Sequence, residues 1–217
     1  MTQSGVVRPT APGGAFSIEG TSFALRSCHQ ITGEDAVALS QHFDAVLYCG
    51  LQENPAMRAI MMRQPSRAEA AAELGNNGCS TPADAILEKS KSSSIAELAS
   101  YMWLPVKSSK CDRQGLQRQL PAGLTFLERQ RQANHRILVC DDDGCDSCVC
   151  VVLAALACEG RTPSEGCLTF DQVSAKMAGI KAMVRKHLAE ISRSYPFARP
   201  TRGSLKQVQQ VCCKYMS

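Results

Sequence analysis

Aromatic residues make up only 5% of the 217-residue chain, and tryptophan occurs once, as Trp103. No aromatic-rich stripe is present to stack bases, so any contact with a nucleic acid would run through phosphate and shape. No stretch of 18 uncharged apolar residues occurs, which leaves nothing long enough to span a bilayer as a helix. The segment Met1 to Gly20 has no apolar run behind a basic start, which argues against a secretory signal. A cytoplasmic location is therefore expected. Histidine is scarce too: His29, His42, His135 and His187 share no motif.

Cysteine, in contrast, is abundant, with twelve spread along the whole chain. In a chain without a secretory signal these read as reduced thiols rather than a disulfide framework. Cys140, Cys145, Cys148 and Cys150 are close enough in sequence to raise zinc. A helix would send Cys148 and Cys150 to different faces, which favours a buried-core role for Cys148, Cys150 and Cys158. Hydrophobic residues at 44% supply enough material for a core.

The net charge of +4 conceals a succession. Residues 1–106 carry 7 basic and 10 acidic side chains, and residues 107–136 carry 7 and 2. Residues 137–171 reverse the sign with 1 basic and 7 acidic, and residues 172–217 carry 9 and 1. A short acidic segment thus sits between two basic ones. Basic segments are commonly solvated helix faces, and otherwise surfaces for phosphate-rich partners.

Residues 1–20 are rich in proline and glycine without periodicity and read as a flexible tail, with the domain proper over 21–217. Short strands are predicted at Phe23 to Arg26, Ala45 to Cys49 ending at Gly50, Tyr101 to Val106, and Ile137 to Cys140. Residues 51–98 are rich in Ala and Ser, with helical stretches at Arg67–Leu74 and Ala83–Leu98 around a Gly75-Asn76-Asn77-Gly78 turn. They read as a helical, low-complexity insertion. A helix with the apolar face Leu116, Leu120, Leu124 and Leu127 follows the third strand, with Pro121 expected to kink or restart it. Cys148 to Cys158 is a helix apolar on every face, which belongs in the middle of a domain. Phe170, Val173, Met177, Ile180, Val184, Leu188 and Ile191 mark a long amphipathic helix. Leu205, Val208, Val211, Cys212 and Tyr215 mark the last one. Strands followed mainly by helices describe an α/β domain with a central sheet flanked by helices.

The most informative segment runs from Arg136 to Leu156: a buried strand, the loop Asp141-Asp-Asp-Gly-Cys-Asp-Ser147, and a buried helix. Free amides and the dipole at that helix start attract anions. The carboxylates of Asp141, Asp142, Asp143 and Asp146 suit ribose hydroxyls or a metal ion, and the amides from Gly144 through Cys145 and Ser147 to Cys148 suit a phosphate. Arg199 and Arg202 are the candidate cations to offset the repulsion between four acids and a phosphate. An Asp/Gly turn that merely caps the helix, with Asp146 or Ser147 as N-cap, fits the same residues.

The segment resembles the phosphate loop of the dual-specificity phosphatases, whose signature is His-Cys-x-x-Gly-x-x-Arg-Ser/Thr. With Gly144 on the signature glycine, Cys140 falls at the histidine, Asp141 at the nucleophilic cysteine, Ser147 at the arginine and Cys148 at Ser/Thr. Taking Cys140 as the nucleophile instead puts Asp146 at the arginine and misplaces the glycine. Neither register supplies a thiolate with an arginine, so phosphatase chemistry is not expected.

A closer resemblance is to the initiator tRNA phosphoribosyl transferases, which end in a phosphatase-like domain. Gly144-Cys-Asp-Ser147 resembles their Gly-x-Asp-x-Ser, with Cys148 in place of its serine. Tyr101-Met-Trp-Leu-Pro-Val106 resembles their Tyr-Leu-x-Leu-Pro-Ile strand, and Gly115 to Leu124 their Leu-x-x-x-Leu-Pro helix. Ala198 to Val208 resembles their closing Pro-Ser-Arg-x-x-Leu-x-x-Val. The resemblance implies a dual-specificity-phosphatase-like fold. It also implies transfer of a 5-phosphoribosyl group from phosphoribosyl pyrophosphate, with Mg²⁺, to a ribose 2′-hydroxyl of initiator tRNA. Asp146 and Asp141 would be the catalytic pair, and Arg199 and Arg202 would approach the loop. The family's longer N-terminal domain would act as a further domain or partner chain. A non-catalytic phosphate-binding module of the same fold is the alternative.

Overall fold

The computed structural model describes residues 14–28, 31, 33–55, 58, 101–107, 111–161 and 170–215. Most of the expected insertion, including both of its helical stretches, and the first thirteen residues lie outside them. Among the described residues five strands form one sheet, in the spatial order Phe16–Ser17, Phe23–Ser27, Ile137–Asp141, Ala45–Gly50 and Tyr101–Pro105. The strands are β1 (Phe16–Ser17), β2 (Phe23–Ser27), β3 (Ala45–Gly50), β4 (Tyr101–Pro105) and β5 (Ile137–Asp141). β1 runs antiparallel to β2, and the other neighbours are parallel.

Parallel strands covered on both faces must be apolar on both, which is why β3 and β5 read as unbroken hydrophobic runs. All of Ala45 to Gly50 and all of Ile137 to Asp141 are buried. Successive side chains alternate between two cores. Leu25, Leu47, Ile137 and Val139 enter the larger one, while Ala24, Val46, Leu138 and Cys140 enter the smaller. The larger core is roofed by α2 (Gly115–Gln132), α3 (Ser147–Ala157), α4 (Phe170–Ser194) and α5 (Arg202–Tyr215). The smaller is covered by α1 (Gly33–His42) through Leu39.

α3 packs against the other three roof helices and β5. Cys148 to Ala154 are all 0% exposed, so a helix apolar on every face has a partner on every face. α4 turns Ile180, Val184 and Ile191 inward, and α5 turns Val208, Val211 and Cys212 inward.

Three expectations change. Residues 14–20 are not tail: Ala15, Phe16 and Ile18 are buried, and Phe16 stacks edge-on against Tyr195 and Phe197 at 5.3 and 5.8 Å. A proline-rich flank hid a two-residue strand whose burial comes from residues near the other end of the chain. α2 begins at Gly115 and does not restart at Pro121, which lies inside it on the exposed side. An exposed proline loses one helix hydrogen bond, and the buried leucines on the opposite face outweigh that loss. α1 was not expected, because one apolar anchor, Leu39, leaves little periodicity to read. Its acidic first turn, Glu34 and Asp35, and its terminal His42 suit the helix dipole.

Candidate functional site

The acidic loop leaves the carboxyl edge of the central strand, where ligands of open α/β sheets bind. Asp141 is the last residue of β5, in register with Ser27 of β2 and Cys49 of β3. Only 4% of it is exposed. One carboxylate oxygen accepts the Gly144 amide, and the other accepts the Cys148 amide at 2.9 Å. Asp141 therefore caps α3 from within the strand that precedes it. Burial pushes its carboxyl up to about 6, against the pull of the Cys148 and Gly144 amides.

Gly144 makes this curl possible. Its φ is +71°, and a Cβ there would lie 2.5 Å from the Tyr195 hydroxyl and 2.8 Å from the Ser27 backbone nitrogen. No other residue fits. Asp142 and Asp143 are exposed. Asp142 accepts the Tyr48 hydroxyl, whose ring lies over Gly50, and its carbonyl accepts the Ser27 hydroxyl at 2.8 Å. Asp143 accepts the Cys145 amide at 2.8 Å.

Asp146 sits at the N-cap position of α3 but makes no capping bond to it. It reaches across to α5. One oxygen accepts the Thr201 amide at 2.9 Å, and the other accepts the Ser204 hydroxyl at 2.9 Å. Thr201 in turn caps α5 by accepting the Ser204 amide at 3.1 Å. The Arg199 amide donates to the Cys145 carbonyl at 3.0 Å. Asp141 thus takes the capping role that a local reading gives to Asp146 or Ser147, and Asp146 anchors α5 instead.

The expected residues are brought together with different duties. Gly144, Cys145 and Cys148, expected to offer amides to a phosphate, already give them to Asp141 and Asp143. Ser147 opens α3 and is half-buried, and the Cys148 thiol is wholly buried. The Arg199 guanidinium is close enough to favour the thiolate of Cys145, but burial and Asp143 together push that thiol up. Arg202 is exposed in the first turn of α5, and among the described residues no ion pair ties it to the loop. Burial also drives the Cys148 and Cys150 thiols up, with Asp141 and Asp146 adding to it, and Cys140 is raised by its bond to Cys28 and by burial. No loop thiol is activated. Each loop carboxylate faces a different partner, and among the described residues no group of three or more His, Cys, Asp or Glu could hold a metal ion. Two clefts, of about 630 and 470 Å³, lie at the opposite edge around Arg131 and Gln132.

The two segments that Asp146 joins are sequence motifs 55 residues apart, and their contact gives both a structural reason to exist. The family model described as the Rit1 DUSP-like domain of the initiator tRNA phosphoribosyl transferases matches residues 100–211 and so takes in both. The chain belongs to this family. Its fold is accordingly that of a dual-specificity-phosphatase-like module from a tRNA-modifying family. The human tyrosine phosphatase-like serine/threonine/tyrosine-interacting protein superposes with a TM-score of 0.53 at 13% identity, over 94% of this chain and 98% of its own. A leucine rich repeat and phosphatase domain containing protein from Entamoeba histolytica gives 0.49 at 11%, over 91% and 89%. Human DUSP28 gives 0.47 at 17%, over 94% and 95%. At these identities the first likeness speaks for the fold alone. No curated relative matches the chain.

Sequence reasoning missed Tyr48, Tyr195, Thr201 and Ser204. Thr201-x-x-Ser204 after Pro200 was a readable helix start. Nothing local marks Tyr48 or Tyr195.

Proposed function

We propose that this module serves phosphoribosyl transfer to initiator tRNA, with phosphoribosyl pyrophosphate as donor and a ribose 2′-hydroxyl as acceptor. The observation that carries the reading is the Asp146 bridge, which joins two segments that resemble motifs of the family into one edge. Asp141 and Asp146 hold that edge, so their part in the reaction is to position it. Asp142 and Asp143 are the carboxylates left exposed, and they suit the ribose diol of the donor. Arg199 suits its phosphate. Mg²⁺ would arrive on the pyrophosphate, since the loop acids diverge, and would stabilise its departure from the anomeric carbon. The family's N-terminal domain, as a further domain or a partner chain, would complete the donor site.

A non-catalytic phosphate-binding module is the second reading. It is favoured by the exposed guanidinium groups of Arg199 and Arg202, whereas the Asp141 carboxylate already fills the loop amides and counts against a phosphate there. A transfer assay with labelled donor and initiator tRNA separates the two. The first reading expects transfer, in the chain alone or with its N-terminal partner, that falls in Asp143→Asn and Arg199→Ala while the fold survives. Transfer unaffected by both substitutions, or absent with the partner supplied, sinks it.

A further inference from the structure

Five of the eight described cations before residue 145 are paired with acids, Lys107, Arg113 and Arg129 being the others. Arg26 pairs with Asp35, Arg58 with Glu53, Arg118 with Asp112, Arg131 with Glu128 and Glu159, and Arg136 with Asp44. The last part of the chain behaves differently. Residues 172–217 hold nine basic side chains and one acid, Glu190, which is already engaged by Lys186 and His187. Lys181, Arg185 and Arg193 on α4, and Arg202, Lys206 and Lys214 on α5, are all exposed, and none joins an ion pair among the described residues. On both helices these three basic residues are spaced i, i+4, i+12, which at about 3.6 residues per turn spreads them over about 120° of the helix surface. At about 1.5 Å per residue each ladder is about 18 Å long. α4 and α5 pack side by side, and the turn between them carries Arg199, whose amide bonds the acidic loop. The ladders therefore share one end of the fold with the candidate site.

We propose that this paired cationic face of α4 and α5 docks the phosphate backbone of RNA and leads it to the acidic loop. The assignment rests on the reading of the chain as a tRNA-modifying module. A ladder of that length exceeds a small phosphate ligand and matches a polymer. A membrane surface fits less well: α4 and α5 bury Ile180, Val184, Ile191, Val208 and Val211, whereas a helix lying in a bilayer keeps an apolar face free for lipid.

The test uses the full chain, transcribed initiator tRNA, and binding measured between about 50 and 200 mM salt. Two charge-reversal variants, Lys181→Glu/Arg185→Glu and Arg202→Glu/Lys206→Glu, are compared with Arg58→Glu/Arg129→Glu, which changes net charge equally on other elements. Thermal melts confirm that each folds. The face variants should weaken binding about tenfold or more and lower the salt slope by about 0.7 to 0.9 for each phosphate no longer engaged, with the control near wild type. Equal effects in face and control variants overturn the proposal. So does tighter binding to anionic phospholipid vesicles or to an acidic polypeptide than to tRNA. Charge-dependent tRNA binding without any phosphoribosyl transfer would leave this interface standing and remove the transferase reading. Transfer that survives both face variants with unchanged tRNA affinity would do the reverse.

Discussion

Replacing Asp146 by alanine should unfold the edge on which the proposed site stands before it touches any chemistry. The side chain accepts the Thr201 amide and the Ser204 hydroxyl, each at 2.9 Å. Hydrogen bonds to a charged group contribute about 1.5–3 kcal/mol each, and the half-buried setting of Asp146 favours the low end. Ser204 is 3% exposed and keeps its contact with Thr201, so its hydroxyl is not wholly orphaned. The expected loss is about 3 kcal/mol, or about 6–12 °C in Tm for a chain of this size. Asp146→Asn retains one acceptor for the Thr201 amide and an amide group for the Ser204 oxygen, so it should lose about 1 kcal/mol. Circular dichroism melts and urea titrations at constant m-value read both. A Tm within about 1 °C of wild type for Asp146→Ala would refute the anchoring role. If that variant also lost transfer, Asp146 would return to the chemistry itself.

Gly144→Ala should cost at least about 2 kcal/mol, from the positive φ and from contact with the Ser27 backbone. Tyr195→Phe should not rescue it, because removing the hydroxyl leaves the backbone clash; full recovery in the double variant would contradict this. The Asp141 carboxyl sits near 6 in the fold against 3.8 outside it. The folded state therefore binds the proton more tightly, and this group's contribution to stability is present below about pH 4 and is lost as pH rises through about 6. The stability of wild type relative to Asp141→Asn should thus fall by about 2–3 kcal/mol between about pH 4 and 7, measured by denaturant titration; a flat or rising difference contradicts the buried-charge account. Alkylation of native protein at about pH 8 should mark exposed Cys111 and spare Cys140, Cys148 and Cys150, read by peptide mass. Fast labelling of Cys140 would revive a thiolate mechanism.

Much of this was legible in the chain before folding. β3 and β5 could be read because parallel strands are apolar on both faces, and α3 because a helix enclosed by neighbours needs no polar side. The Asp141–Ser147 loop could be read because only a glycine turns so tightly between a strand and a helix. Element types and the family motifs are local properties, written in consecutive residues.

The assignment of partners was not local. Asp141 and Asp146 are both acids beside one helix start, and sequence favours the nearer one as its cap. The sheet decides otherwise. β5 lies between β2 and β3, which fixes Asp141 under the first turn of α3, while α5 brings the Thr201 amide to Asp146 from 55 positions away. Likewise Phe16 packs edge-on against Tyr195, and α4 and α5 come into contact only when the chain folds. Which donor meets which carboxylate depends on distances in space. The order of residues settles which groups are able to bond, and packing settles which of them meet.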